Sequence, residues 1–331
     1  MINKNELQIT KLVTKVINLA EEELKYSNDA FNVAYGVDKN FLFGAGVSIT
    51  SILVHNKDID FHFHIFTDFF DEEKKILFSQ LAKQYDTKIT IYLIECEELK
   101  KLPTTKSWSY ATYFRFIIVD YLSSNINKLL YLDADIFCNG NIIELTQITI
   151  KNNKIAACVQ EGGKAKFTSI DANSKGEKYF NAGCLLMNIQ QWHEENISKQ
   201  AINLLLEKKY PFLDQDVLNL LLIDKVIFLK EKWNTIYSLD DEMKGNIKRK
   251  IIENSILIHY IGHTKPWHKW ANPALTQPFI IAKNASPWKS IPFKNAGNAH
   301  LSKYSVKHAL YQKRYLTAFN NYLHYLCKKI W

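Results

Sequence analysis

A chain of 331 residues that is 47% hydrophobic can bury one large α/β domain with an appendage or two modest domains, and is not a disordered polymer. Its apolar runs are only a few residues long, and no charged patch followed by a long apolar stretch opens it, so it is expected to span no membrane and to stay in the cytoplasm. Eleven Lys and Arg follow Glu253 with no acid among them; this accounts for the net charge of +8 and leaves residues 1–253 at −3, a segregation without any nucleic-acid motif that argues against nucleic acid as partner.

The apolar positions Leu12, Val16, Leu19 and Ala20, followed by acids at 21–23, predict a surface helix within residues 1–27. A β-rich run at 31–37, the polar turn Asp38, Lys39, Asn40 and a helix over 41–54 open a parallel α/β unit. The pattern continues with a strand at 60–66, a helix near 71–84, a strand at 88–94, a helix near 109–122 and an apolar strand at 128–132 that runs into Asp133. Open parallel sheets bind ligands beyond the carboxyl ends of their strands, so the residues just past each strand carry the interest. The second half predicts strands at 155–159, 183–188 and 255–260, with helices near 190–206 and 214–223. Pro and Asn in 271–299 suggest a linker before a last helix at about 301–329. The domains expected are thus 1–27, a catalytic domain over 28–270 and a basic, aromatic extension over 271–331.

Cys96, Cys138, Cys158, Cys184 and Cys327 are scattered, with no CxxC, and read as small core residues. His62 and His64 alternate with Phe61 and Phe63 along a strand and suggest a polar strand face more than a metal pair. His193, His300, His308 and His324 read as surface or interface residues.

The sharpest local feature is Tyr131-Leu132-Asp133-Ala134-Asp135. Leaving a buried strand, Asp133 and Asp135 can turn toward one point and offer hard oxygen ligands to Mg²⁺ or Mn²⁺. A DxD also arises by chance in solvated turns, so its company matters. That company is Tyr179-Phe180-Asn181-Ala182-Gly183, Asp214-Gln215-Asp216, and the run from His259 to His268. The last supplies an imidazole at a strand end, Gly262 for close backbone approach and Lys265 to neutralise phosphate.

With these motifs in order, the sequence resembles glycosyltransferase family 8, in particular its lipopolysaccharide core α-glucosyl- and α-galactosyltransferases. The resemblance runs from about Phe31 to the C-terminus. It also includes Val33-Ala34-Tyr35-Gly36-Val37-Asp38-Lys39-Asn40 and Tyr110-Ala111-Thr112-Tyr113-Phe114-Arg115-Phe116. It implies an α/β, GT-A type nucleotide-sugar fold with a mostly parallel Rossmann-like sheet, and transfer of glucose or galactose from UDP-glucose or UDP-galactose to the lipopolysaccharide core with retention. Tyr35, Gly36, Asp38, Asn40 and Ala134 would serve the nucleotide. Asp133, Asp135 and His259 would hold Mn²⁺ or Mg²⁺, and Asp133, Gly262 and Lys265 would meet the phosphates.

Arg115, Asn181, Asp214 and Gln215 would surround the donor sugar, with Gln215 and Asp214 nearest the chemistry. Arg115 has a blander alternative as a surface helix cation, and Asn181 as a turn former. Some relatives carry a sugar-contacting Asp where this chain has Gln160-Glu161. Gln215 is a neutral amide and a poor nucleophile, which favours front-side displacement, with a covalent intermediate through Asp214 or another carboxylate as the alternative. A lipooligosaccharide galactosyltransferase, a self-glucosylating primer protein and a non-catalytic carbohydrate-binding protein are the competing readings. Finally, Tyr304, His308, Tyr311, Tyr315, Phe319, Tyr322 and Leu326 can share a helical face flanked by Lys303, Lys307, Lys313, Arg314, Lys328 and Lys329. That predicts attachment of the tail to an anionic membrane surface, peripheral on the inner face of the inner membrane, unless the stripe packs on the catalytic domain.

Overall fold

The computed structural model describes residues 9–19, 30–105, 109–151, 153–161, 178–243 and 254–330; Ala20 and residues 21–23 of the expected first helix lie outside them. The first half runs β1 (Val13–Asn18), β2 (Phe31–Val37), α1 (Leu42–His55), β3 (Phe61–Thr67), α2 (Glu72–Tyr85), β4 (Lys88–Ile94), α3 (Phe114–Leu122), β5 (Lys128–Leu132), β6 (Ile136–Cys138) and α4 (Ile143–Thr146). The second runs β7 (Ala156–Gln160), β8 (Phe180–Asn188), α5 (Ile189–Glu194), α6 (Ile197–Glu207), α7 (Asp214–Leu221), β9 (Val226–Leu229), β10 (Thr235–Ser238), α8 (Leu239–Glu242), β11 (Leu257–Ile261), α9 (Gln277–Asn284), α10 (Ala299–Tyr311) and α11 (Tyr315–Ile330).

Among the described residues eight strands form one sheet in the order β1-β4-β3-β2-β5-β8-β7-β9, and β10-β11-β6 form a second. Strands β4, β3, β2 and β5 pair in parallel, while β8 runs antiparallel to both β5 and β7. The central strands are short apolar runs buried on both faces, as a sheet covered by helices requires. One face packs on α1, whose residues from Leu42 to Leu53 are all buried, and on Trp267, Phe279 and Trp288. The other packs on α3, Trp192 and α6. Helix α2 starts where Asp71 accepts a hydrogen bond from the Lys74 amide at 2.9 Å, with Glu72 and Glu73 in its first turn, which suits the unpaired amides of a helix N-terminus.

Four elements differ from the sequence expectation. Residues 13–18 form a strand, not a helix: the run Val13-Thr14-Lys15-Val16-Ile17 is β-branched at four of five positions, and β1 pairs antiparallel with β4, so pairing at a sheet edge overrides the helical spacing. The helix expected over 190–206 is two, broken at Asn196 in the left-handed region (φ 54°). The stretch 271–299 contains α9 and is not simply a linker. The last helix is a hairpin: Lys313 takes φ 58° and the Arg314 amide donates to the Ala309 carbonyl at 2.8 Å, the closure of a Schellman turn.

Four cysteines are buried as expected, while Cys327 is exposed. His64 is buried between Tyr92 Oη (2.9 Å) and Asn32 Oδ1 (3.0 Å), and His62 reaches Thr90 Oγ1 (2.9 Å); both are parts of a hydrogen-bonded polar stripe across β2, β3 and β4. His308, expected at the surface or an interface, is buried.

Candidate active site

The DxD segment occupies the seam between the two sheets. Strand β5 ends at Leu132, and β6 begins at Ile136 in the second sheet, so Asp133-Ala134-Asp135 is the crossing. The Asp133 amide donates to the Gly183 carbonyl at 2.8 Å, and β11 sets His259 opposite Ile136. Residues from β5, β8 and β11 are thereby brought to one point although 126 positions separate the first carboxylate from the histidine.

There the ligand atoms of Asp133, Asp135 and His259 lie within 4.8 Å of one another. His259 Nε2 is 3.2 Å from Asp135 Oδ1 and 3.9 Å from Asp133 Oδ2. Its Nδ1 is buried without a hydrogen-bond partner among the described residues, so the carboxylates at Nε2 orient the ring. Lys265 Nζ lies 2.6 Å from Asp135 Oδ2 and donates to the Tyr260 carbonyl at 2.9 Å. Burial opposes ionisation of Asp135, yet Lys265 and His259 outweigh it and hold the carboxyl well below the usual range. Burial opposes protonation of His259 too, and Asp135 and Asp133 overcome it, raising its proton affinity. A Cβ at Gly183 would stand 2.7 Å from Asp133 Oδ2 and against His259 Cε1. The glycine thus keeps open a cradle beside two hard oxygens and an imidazole nitrogen, a donor set that fits Mn²⁺ or Mg²⁺.

Beside this cluster Arg115 is buried, not a surface cation. Its Nη2 meets Asp133 Oδ1 at 3.3 Å, its Nε meets Asp214 Oδ2 at 2.9 Å, and its Nη1 donates to the Ala182 carbonyl at 2.6 Å. One planar guanidinium therefore fixes the DxD strand, the Asn-Ala-Gly strand and the start of α7 together. Burial raises the pKa of Asp214 in spite of Arg115, and Thr112 Oγ1 donates to its other oxygen. Gln215 is held on both sides. Its Oε1 accepts from Asn181 Nδ2 (3.1 Å) and the Ala182 amide (3.0 Å), and its Nε2 donates to Glu161 Oε2 (3.2 Å) and Tyr179 Oη (3.0 Å). Asn181 is more than a turn former: its Nδ2 also donates to Glu161 Oε2 at 3.0 Å and its Oδ1 accepts from Asn234 Nδ2 at 2.9 Å. Glu161 and Asn234 join the site without a local sequence signal, beyond the place of Glu161 at the end of β7.

At the turn after β2, Asp38 Oδ1 accepts from the Asn40 amide (2.8 Å) and Asp38 Oδ2 from Ser109 Oγ (3.2 Å). Lys294 Nζ donates to the Asn40 carbonyl at 2.5 Å. Tyr35 departs from the expectation. It is fully enclosed, with its hydroxyl 3.0 Å from Ser48 Oγ, so its side chain braces α1 instead of lining an open face. Gly36 sits where a Cβ would come within 2.8 Å of Phe114 Cβ, which ties its identity to packing against α3. Ala134 is buried between the two aspartates. Gly262 takes φ +92° and turns the chain from β11 toward Lys265.

Comparison with known proteins agrees with this architecture. The family model described as "Glycosyl transferase family 8" matches residues 32–271, and "Glycosyl transferase family 8 C-terminal" matches 274–329. The chain is 47% identical over 310 residues to lipopolysaccharide 1,3-galactosyltransferase of Salmonella typhimurium, covering 91% of this chain and 92% of that protein. It is 44% identical over 333 residues to lipopolysaccharide glucosyltransferase WaaO of Escherichia coli, covering 98% of each. The galactosyltransferase LgtC, crystallised with donor and acceptor sugar analogues, superposes with a TM-score of 0.64 at 20% identity, over 77% of this chain and 96% of that one, which shows the shared GT-A fold. With both family models matching and relatives this similar along nearly its whole length, the chain belongs to glycosyl transferase family 8.

Proposed function

We propose that this enzyme moves glucose or galactose from a UDP-hexose to a hexose of the lipopolysaccharide outer core, giving an α-linked product with retention. The observation that carries the reading is the Asp133, Asp135 and His259 cluster facing the cradle at Gly183, with Lys265 beside it. The names of the two similar relatives, one a galactosyl- and one a glucosyltransferase of lipopolysaccharide, support the acceptor class and leave either hexose as donor.

In this reading Asp133, Asp135 and His259 hold Mn²⁺ or Mg²⁺, which when bound supplies electrostatic stabilisation to the departing diphosphate. Asp38, Asn40 and the backbone at Gly36 and Ala134 take the uridine, with Tyr35 supporting them from the core. The Gly262 turn and Lys265 take the phosphates, where the ammonium stabilises developing negative charge. Arg115 and Asn181 position the donor sugar through Asp214 and Gln215. The Asp214 carboxylate is engaged by Arg115 and Thr112, and the Gln215 amide is fixed by four hydrogen bonds, so neither is poised for covalent attack. Their engagement supports front-side displacement, in which the bond from the anomeric carbon to the phosphate oxygen breaks as the acceptor oxygen bonds to that carbon. The acceptor proton passes to the departing phosphate oxygen. Incubating the full-length enzyme and Mn²⁺ with UDP-glucose or UDP-galactose and truncated core lipopolysaccharides, followed by mass and linkage analysis, tests the assignment. No transfer from either donor to any core would reject it.

The same reading places the enzyme in the cytoplasm, peripheral on the inner membrane face. Among the described residues no helix is long and apolar enough to cross a membrane. The support is α11, where Tyr315, Leu316, Phe319, Tyr322 and Leu323 are exposed, Leu316 to 84%, with Lys313, Arg314, Lys328 and Lys329 at its ends. Such a face suits burial among anionic headgroups. The companion α10 instead packs inward through His308, so the expected single stripe is divided between two helices. Co-sedimentation with anionic vesicles should fall at least fivefold for a Leu316→Ser, Phe319→Ser double variant; equal binding by both proteins would remove the membrane role.

A further inference from the structure

The loop from Gly262 to Lys265 does not hold its own shape. Asp240, at the start of α8, accepts through Oδ2 from the His263 amide (2.9 Å) and the Thr264 amide (3.1 Å). Its Oδ1 lies 3.0 Å from His308 Nε2, on α10. The same nitrogen is 3.0 Å from Thr264 Oγ1, which also accepts from Trp270 Nε1 at 3.0 Å. Since a carboxylate only accepts, Nε2 carries the proton and shares it between Asp240 and Thr264. Asp240, Thr264 and His308 are all buried, where such bonds are strong and a lost partner leaves an unsatisfied group.

The side chain of Asp240 therefore serves as the template for two successive loop amides, and His308 locks that template from the C-terminal hairpin. A Cβ at Gly262 would fall 3.0 Å from Asp240 Oδ2, so the loop and the carboxylate are also in close steric register. One residue beyond Thr264 the backbone has already delivered Lys265, whose amide donates to His268 Nδ1 at 3.0 Å and whose ammonium reaches Asp135.

The geometry points to Asp240 and His308 as positioning residues for donor binding: they preset the Gly262–Lys265 loop, so that affinity for the donor diphosphate depends on the docked C-terminal hairpin. This rests on the reading of that loop as the phosphate site. Preset loops raise affinity by removing the ordering that binding would otherwise require. Their loss therefore weakens donor binding more than it slows the chemical step, which is served by groups on other strands.

The test uses the full-length enzyme, with UDP and Mn²⁺ as calorimetric probe, donor KM and kcat, and thermal melting. His308→Ala and Asp240→Asn should each raise the UDP dissociation constant and the donor KM about tenfold while kcat falls less than threefold. His308→Gln, whose amide can still donate to Asp240, should recover most of the affinity. Amide exchange at His263 and Thr264 should quicken in the same order. Lys265→Ala separates the two levels of inference. If it leaves UDP binding unchanged, the loop is not the phosphate site and the proposal falls with that reading. If it weakens UDP binding while His308→Ala and Asp240→Asn do not, the positioning role alone is wrong. Should His308→Ala fail to fold, Thr264→Val carries the same measurement, and a loss of kcat in it with KM unchanged would overturn the assignment.

Discussion

At Gly183 one hydrogen stands where any other residue would push a carbon to 2.7 Å from Asp133 Oδ2 and onto the His259 ring. Gly183→Ala should therefore keep the fold, because β8 continues on either side, yet lower Mn²⁺-dependent transfer by at least 100-fold; circular dichroism with a metal titration checks both halves. Gln215→Ala removes four hydrogen bonds, to Asn181, Ala182, Glu161 and Tyr179, and none to the residues proposed to hold the nucleotide. We expect kcat to drop roughly 100-fold with UDP affinity within twofold, and a large loss of UDP binding at unchanged kcat would move Gln215 to the nucleotide. Residues of this kind were legible because each stands in a compact polar cluster at the end of an apolar run. Asn234 and Asp240 were not legible as site residues: each is an ordinary polar residue locally, and becomes part of the site only through partners 53 and 24 positions away; the segments that hold Thr112 and Glu161 stood out, but not their contacts 102 and 20 positions away. Arg115 had two readings for the same reason, since burial of a cation is decided by the Asp133 and Asp214 carboxylates it finds in space.

Among elements, the parallel strands and the helices between them were readable because each covers one period of burial with clear turn residues at its ends. β1 was misread because Leu12, Val16, Leu19 and Ala20, of which only Val16 lies in the strand, are spaced as a helical stripe, whereas its β-branched residues and the edge of β4 favour pairing. The break between α10 and α11 had no sequence sign at all, since Lys313 fills a left-handed turn position usually given to glycine. Lys313→Gly should then relieve strain and stabilise the hairpin by about 0.5–1 kcal/mol; an unchanged or lower urea midpoint would contradict this. Because His308 anchors α10 to Asp240, removing residues 301–331 would disturb the donor site as well as the exposed face, and point changes on α11 are the cleaner probe of surface binding.

For the molecule as a whole, acid stability follows from its buried histidines. Burial, with Lys88 nearby, lowers His62 to about 3, burial with His62 and Lys88 beside it holds His64 well below its usual value, and burial with Lys265 and Lys294 lowers His268 to about 3. A depressed folded pKa gives stability that is complete above the unfolded value near 6.5 and is lost as pH falls toward 3, because the unfolded chain takes the protons first. At pH 5.5 this amounts to on the order of 1 kcal/mol for each of His62 and His268, with His64 acting in the same direction, partly offset by His259, whose raised affinity acts in the opposite sense. The melting temperature should fall from pH 7 to 5.5, and His62→Gln should flatten that slope; a rising or level profile in the parent enzyme would count against it. The distribution of charge has a consequence of its own. No acid follows Glu253 among eleven cations, the preceding residues sum to −3, and four of those cations, Lys313, Arg314, Lys328 and Lys329, flank α11. On the proposed membrane role, an anionic surface would draw that helix inward before contact, within a screening length of about 8 Å at physiological salt. Added salt should therefore slow the rate of landing and randomise its orientation, while the lifetime of an enzyme already seated by its aromatic side chains changes little.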